Sequence, residues 1–195
     1  MNLWLTRGID WFKVRADTAH TKTLLALLSF TESSVFIIPP DPLLAAIVLV
    51  HRDKWLYYAL FTTAASIAGA LFGYLIGAVL FDTLGVHIVS FYQIGPEVAD
   101  IRSFINESVF AFTLVLAFTP IPFKAAVLAA GLAHANPVSF LAAAIIGRTA
   151  RYMVVAFAAR LFGEHADVIL KRFWWIATGL AVVGLAAYAW YLFSA

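Results

Sequence analysis

Hydrophobic residues follow one another along most of this chain, without the regular polar face that marks the helices of water-soluble proteins. Long uncharged stretches cover residues 55–81 and 174–195, and residues 138–162 are apolar apart from a few basic positions. A helix needs about 20 predominantly apolar residues to cross a bilayer. The pattern therefore predicts an all-α polytopic membrane protein with about three full transmembrane helices.

Two further apolar stretches, residues 23–51 and 109–137, contain prolines near their middle. Proline removes a backbone donor and stops a helix, so each stretch is expected to fold as two short arms. An arm of about 10–15 residues reaches about 15–22 Å, which is less than the roughly 30 Å of hydrocarbon. We therefore predict two re-entrant helical hairpins. Their tips hold five prolines: Pro39, Pro40, Pro42, Pro120 and Pro122.

The distribution of basic residues predicts how these segments are oriented. Lys and Arg mark cytoplasmic loops. They precede the first hairpin and follow it at Arg52 and Lys54, whereas residues 82–108 carry acids and only Arg102. We therefore place the N-terminus in the cytoplasm, with residues 82–108 and the C-terminus outside. The two hairpins then enter from opposite faces, and each is followed by a long helix, so the halves are predicted to form an inverted repeat.

The chain divides into three parts on this reading. Residues 1–22 mix basic, acidic and aromatic side chains, which is typical of an amphipathic helix lying in the membrane interface. Residues 23–163 form one membrane domain, made of the two hairpins, the helices at 55–81 and 138–162 and the external segment. Residues 174–195 form a C-terminal transmembrane helix.

Composition narrows the function classes. Of 195 residues, 63% are hydrophobic and 12% charged, and the mean hydropathy is +0.91. The bases are scattered, so nucleic-acid binding is not expected. There is no cysteine, and the 5 histidines lack a metal-ligand spacing such as HExxH, so neither a metal nor a cofactor is expected. Because Ser33 and Ser34 lie in no GxSxG elbow, we do not expect an enzyme.

Five ionisable residues fall at membrane depth, where each charge costs about 2.5–3.5 kcal/mol even on the most lenient scale. They are Glu32, Asp41, Lys124, Arg148 and Arg151. The spacing of Arg148 and Arg151 puts them on one helix face. We expect all five to converge near the membrane midplane. The alternative is that they form ion pairs that only hold the two halves together.

The functional interpretation gives the bases and the acids different roles. Each second hairpin arm begins after a proline and points the positive end of its dipole into the membrane. Together with Lys124, Arg148 and Arg151, these helix ends favour a lipid phosphate, which arginine binds in a bidentate manner. Burial disfavours the charged form of a carboxylate, so Glu32 and Asp41 are candidates for taking up and releasing protons.

Small residues predict where helices approach closely. The candidates are Gly69, Gly73, Gly77, Gly131 and Gly147. The first three have GxxxG spacing on one helix face, which permits close contact between helices. We expect this face to pack within one chain, and a homodimer interface is the alternative.

Several short motifs together resemble one family. They are Phe30-Thr31-Glu32-Ser33-Ser34, Ile38-Pro39-Pro40-Asp41, the series Gly69, Gly73, Tyr74 and Gly77, Phe118-Thr119-Pro120-Ile121-Pro122-Phe123-Lys124, Gly131, and Gly147-Arg148 followed by Arg151-Tyr152. In this order they are similar to the DedA superfamily, also called VTT or SNARE-associated Golgi proteins, in its YqaA-like bacterial branch. The resemblance runs from about residue 23 to residue 163.

The resemblance implies a multi-pass protein of the bacterial inner membrane with two facing hairpins. It further implies a transporter, flippase or scramblase that moves a phospholipid or undecaprenyl phosphate and is coupled to protons. A small-solute proton-coupled transporter and a non-transporting membrane scaffold are the alternatives.

The resemblance also carries residue roles. Family members have an acid in the first hairpin, matched by Glu32, and a second acid beyond it, for which Asp41 is the nearest candidate. Many have an arginine on each side of the second hairpin's proline. Phe118 and Lys124 occupy those positions here, so one of the two arginines at 148 and 151 would replace the missing ligand.

Overall fold

A computed structural model describes residues 18–34, 39–119 and 121–163, together with residues 179 and 183. Within these ranges the chain forms helices and no strand. The α-helices are α1 (Ala19–Ser34), α2 (Asp41–Val50), α3 (Trp55–Leu80), α4 (Val86–Tyr92), α5 (Gly95–Phe118), α6 (Phe123–Leu132) and α7 (Pro137–Phe162). A 3-10 turn joins α2 to α3, and a π-helical turn at Phe81–Gly85 continues α3 into α4. The prediction of an all-α protein is confirmed.

Among the described residues, three helical segments are long and apolar enough to cross a membrane: Arg52–Tyr92, Gly95–Phe118 and Pro137–Phe162. The first and third include residues 55–81 and 138–162. The predicted C-terminal span at 174–195 lies outside the described residues apart from positions 179 and 183, and the predicted interfacial helix at 1–22 lies outside them up to residue 17.

The segment Gly95–Phe118 differs from the sequence expectation, which divided it between an external segment and the first arm of the second hairpin. Pro96 stands in the first turn of α5, where the missing N–H costs nothing. The next proline is Pro120, so no helix breaker separates the polar residues from the apolar ones that follow. The charged residues near 100 therefore belong to the same helix as the arm that was expected to begin at 109.

The helical structure is interrupted at both positions where prolines predict a tip. Helix α1 ends at Ser34 and α2 begins at Asp41, with Pro42 in its first turn. Helix α5 ends before Thr119, and α6 begins directly after Pro122. Helices α2 and α6 have 10 residues each and are about 15 Å long, which is half of a bilayer's hydrocarbon thickness. Pro39 and Pro40 precede α2, and Pro120 lies outside the described residues.

Helix α3 occupies the centre of the fold, where it packs against α1, α6 and α7. Glycines permit these contacts: a methyl group at Gly69 would overlap the carbonyl oxygen of Phe30, and one at Gly77 would lie 2.8 Å from the carbonyl oxygen of Leu128. Gly73, Gly131 and Gly147 also face neighbouring helices of the same chain. The predicted close-approach face is thus used for packing between helices of one chain.

The polarity of the fold is the reverse of that in a water-soluble protein. Ser33, Ser66 and Arg148 are fully buried, whereas Leu75 and Val79 on α3 are each 59% exposed. Large exposed apolar faces with polar groups inside are expected where lipid is the solvent. The protein is therefore a multi-pass membrane protein whose polar residues meet in its interior.

Candidate functional site

Two arginines project from the middle of α7 into the interior of the fold. The helix begins with a cap, because the side chain of Asn136 accepts hydrogen bonds from the backbone N–H groups of Val138 and Ser139 at 2.9 and 3.1 Å. At 1.5 Å per residue, Arg148 lies about 17 Å along the helix, close to half the thickness of the hydrocarbon layer. Arg151 is one turn further and on the same face. The two residues are 0% and 4% exposed.

Arg148 joins α7 to α1, α3 and α6. Its Nη2 donates to Oε2 of Glu32 and, at 2.9 Å, to Oγ of Ser33. The Ser33 hydroxyl lies 2.6 Å from that of Ser66 on α3. On the other side, the guanidinium lies 4.5 Å from the ring centroid of Phe123 at the start of α6. Parts of both halves of the chain therefore surround this one charge.

Arg151 contacts both places where the helical structure is interrupted. Its Nη2 donates to Oδ2 of Asp41, the first residue of α2, and its Nη1 donates to the carbonyl oxygen of Thr119, which directly follows α5. The buried Oδ1 of Asp41 has no hydrogen-bond partner among the described residues. The first turn of α2 is a favourable position for the carboxylate, because the helix dipole is positive there.

Four of the five predicted residues meet in two adjacent ion pairs, Glu32 with Arg148 and Asp41 with Arg151. The fifth, Lys124, is the second residue of α6 and is half-buried. It directly follows Phe123, whose ring lies against Arg148. The arrangement places acids from the first interrupted stretch opposite bases from α7, while the roles of the five residues in transport stay predictions.

Arg148 has more donors than its partners use. Its Nε and Nη1 are buried and have no hydrogen-bond partner in the part of the chain that the structure describes. A guanidinium has five N–H donors and keeps its charge, and buried donors are almost always paired in folded proteins. The site can therefore donate hydrogen bonds to the oxygen atoms of an anion beside Glu32.

Sequence reasoning gave no role in the site to several neutral residues that lie here: Ser29, Ser33, Ser66, Thr119 and Tyr152. Ser29 donates to the carbonyl oxygen of Thr62 at 2.7 Å and lies 3.3 Å from the Tyr152 hydroxyl. A pattern was available for three of them, because Ser29 and Ser33 share a face of α1 and Tyr152 follows Arg148 by one turn. Among the described residues, no group of three acids and histidines is placed to hold a metal.

Known proteins are similar to this chain over most of its length. The family model of the VTT domain matches residues 38–161. A protein of Haemophilus influenzae, which carries the name "uncharacterized protein", is 30% identical over 168 residues, covering 86% of each chain. No solved structure matches the chain. The matched residues contain Asp41, Lys124 and both arginines. Because the family model matches more than half of the chain, the chain belongs to the VTT-domain family, also known as the DedA family.

Proposed function

We propose that this protein moves an anionic lipid, a phospholipid or undecaprenyl phosphate, across the membrane through the polar site at Glu32 and Arg148. The observation that carries the proposal is the fully buried Arg148, whose Nε and Nη1 have no hydrogen-bond partner in the described residues. A phosphate offers several acceptor oxygens to these donors, and release of Nη2 by Glu32 would complete the fork that a guanidinium presents to a phosphate. The head group would occupy the site while the acyl or prenyl tails stay in the bilayer.

The proposal includes two re-entrant hairpins that face each other as an inverted repeat. Its support is that the helical structure is interrupted twice and that α2 and α6 are each too short to span the membrane. In addition, Arg151 contacts both interruptions. In transporters, such paired broken helices surround a site near the midplane, which opens alternately to each side. Half-buried Lys124, at the start of α6, would add a base where the head group enters.

We also propose that Glu32 and Asp41 couple lipid movement to protons. Each acid is hydrogen-bonded to one arginine. Protonation of Glu32 removes the negative charge that competes with phosphate for Arg148, so proton uptake by the acid favours head-group binding by the base. Deprotonation restores the ion pair and releases the lipid. The chain is thus proposed to act as a transporter rather than an enzyme, with lipids and protons as its partners.

The proposed location is the bacterial inner membrane, with the N-terminus in the cytoplasm and the C-terminus outside. This orientation follows from the bases at Arg52 and Lys54 and the acids between residues 82 and 108.

A membrane scaffold is the second candidate, and the two ion pairs favour it. Buried charge pairs join elements from both halves of the chain, and such pairs alone would hold the fold together. A scaffold needs no proton chemistry, so Glu32→Gln should impair its function only as far as loss of the ion pair lowers the free energy of unfolding. In a proton-coupled carrier the same change should abolish lipid movement while the protein stays folded.

Leaflet exchange in liposomes tests the proposal. The purified protein is reconstituted with labelled phosphatidylglycerol or undecaprenyl phosphate, and exchange is measured with and without a proton gradient. Labelled phosphatidylcholine, whose head group has no net charge, is the matched lipid control. We expect faster exchange of an anionic lipid under the gradient and none in Glu32→Gln. Unchanged exchange with every anionic lipid would refute the proposal.

Two further variants separate head-group binding from structural pairing. Lys124→Ala and Arg148→Ala are expected to lose lipid movement at normal expression and with unchanged circular dichroism. Loss of the folded protein in Arg148→Ala would instead assign this residue to the scaffold.

A further inference from the structure

A second cluster of charged side chains lies at the far end of α6, away from the site at Arg148. His134 follows the end of this helix in a left-handed conformation, with a φ of 51°. Its Nδ1 lies 2.8 Å from Nη2 of Arg102 on α5, and its Nε2 lies 3.1 Å from Oδ1 of Asp82, which follows α3. The cluster therefore joins three elements through one imidazole ring.

Arg102 is held firmly in this cluster. The same Nη2 donates to the carbonyl oxygen of Leu132, the last residue of α6, at 3.1 Å. Its guanidinium carbon lies 3.8 Å from the ring centroid of Phe81, which is the first residue of the π-helical turn. A carbonyl at a helix C-terminus has no partner within the helix, so this contact also satisfies the end of α6.

The contact between Arg102 and His134 specifies the tautomer of the neutral ring. A guanidinium only donates hydrogen bonds, so Nδ1 must offer a lone pair, and the proton of the neutral ring lies on Nε2, where it is donated to Asp82. Protonation would turn Nδ1 into a second donor facing a positive charge. Within the described residues, Asp82 and Arg102 are the charged groups that contact this ring. One favours the protonated ring, and the other opposes it.

We propose that Asp82, Arg102 and His134 form a proton-sensitive latch between α5 and the end of α6. While His134 is neutral, the latch is closed by the hydrogen bond from Arg102. Uptake of a proton breaks that hydrogen bond and strengthens the pairing with Asp82, so the ring stays with the turn after α3, and α5 keeps only the contacts of Arg102 with Leu132 and Phe81. Histidine is the side chain whose charge ordinarily changes between about pH 5 and 8.

Helix α6 connects the latch to the interior site. It carries Phe123 against Arg148 at one end and ends at the residue whose carbonyl binds Arg102, about 15 Å away. A short helix held at both ends transmits a displacement of either end. Acid on the side that the sequence predicts to be external would therefore loosen the second interrupted stretch. This effect on lipid movement rests on the proposed function, whereas the latch itself does not.

A distance measurement on the full chain tests the latch. The protein contains no cysteine, so spin labels attach only at introduced positions. Asp100→Cys on α5 and Val138→Cys at the start of α7 are both exposed. The distance between the labels is measured by double electron–electron resonance in lipid nanodiscs from pH 8 to pH 5. We expect a second, longer distance to appear at low pH.

Three variants decide the outcome. His134→Gln, which cannot take up a proton, should give the same distances at pH 5 and pH 8. Asp82→Asn should move the transition to lower pH, because the charge that favours the protonated ring is lost. His87→Gln should keep the response of the parent protein, since the Nδ1 of His87 contacts the carbonyl oxygen of Thr83 on its own helix at 2.8 Å.

A single distance from pH 8 to pH 5 in the parent protein would overturn the latch. So would a transition that persists in His134→Gln, or one that stays at the same pH in Asp82→Asn. The labels report the position of α5 and not lipid movement, so failure of the latch and failure of the proposed function are distinguishable.

Discussion

At the scale of single residues, the structure shows which partner each buried charge has. The rarity of charges in an apolar sequence was enough to single out Glu32, Asp41, Arg148 and Arg151. The assignment of Glu32 to Arg148 and Asp41 to Arg151 could not be predicted, because it depends on where the interrupted helices end in space. Removal of one partner leaves the other as an uncompensated charge, which is costly in a low-dielectric interior.

The pair of Asp41 and Arg151 should therefore behave as a unit in a double-mutant cycle. Arg151→Gln is expected to lower the free energy of unfolding by about 3–5 kcal/mol, and Asp41→Asn combined with it should cost less than the sum of the two single changes. Denaturant unfolding in micelles, followed by circular dichroism, measures this. Arg160→Gln is the control, because this arginine near the end of α7 is exposed. It lies 5.6 Å from the ring centroid of Trp55. Additive losses would show that the pair is not coupled.

Ser33 is expected to stabilise the fold through its hydrogen bond with Arg148 as much as through packing. Ser33→Ala keeps the small side chain but removes the acceptor that lies 2.9 Å from Nη2. Hydrogen bonds to charged groups contribute about 1.5–3 kcal/mol, so the free energy of unfolding should fall by about that amount. Ser90→Ala on the exposed helix α4 is the matched control and should change it by less than about 0.5 kcal/mol. Equal effects in the two variants would contradict this role of Ser33.

At the scale of helices, the prolines and glycines of the sequence were the most informative residues. The prolines near 40 and 120 predicted both interruptions, because a proline in a helix interior clashes with the preceding turn and removes a backbone donor. The joining of the predicted external segment to the next apolar arm in α5 was missed, because polar residues do not by themselves end a helix. The absence of a proline between Pro96 and Pro120 was the relevant observation.

The contact between α1 and α3 gives a prediction at this scale. Gly69→Ala places a methyl group against the carbonyl oxygen of Phe30, so the two helices must separate. Overpacking of this kind costs about 1–3 kcal/mol, which thermal unfolding in detergent would show as a lower midpoint. Gly95→Ala is the matched control, because no atom lies within 4 Å of the added methyl group. If both variants unfold at the same temperature as the parent, α1 and α3 do not pack as described.

At the scale of the whole molecule, the distribution of charge predicts an orientation as well as a fold. Basic residues cluster at the turn between α2 and α3, and acids predominate around the start of α5. The helix bounds place these two regions at opposite ends of the span Arg52–Tyr92. The sequence could predict this separation from charge alone, whereas the path of the chain between the two ends required the packing of all the helices.

Cysteine labelling in intact cells checks the orientation. Asp53→Cys and Glu97→Cys both replace exposed acids, one in each region, in a chain that has no cysteine of its own. We expect a membrane-impermeant maleimide to modify Glu97→Cys directly and to modify Asp53→Cys only after the membrane is permeabilised. Labelling of both variants from outside, or of Asp53→Cys alone, would contradict the orientation.

The central claim, that a lipid phosphate binds at Arg148 inside the membrane, can be measured by solid-state NMR. The protein is labelled with ¹⁵N-arginine and reconstituted in phosphatidylglycerol, and dephasing of guanidinium ¹⁵N by ³¹P is recorded for the parent and for Arg148→Lys. The account predicts a rapidly dephasing ¹⁵N component in the parent that is missing from the variant. Identical dephasing in the two proteins would contradict it, because all phosphate contacts would then lie at other arginines.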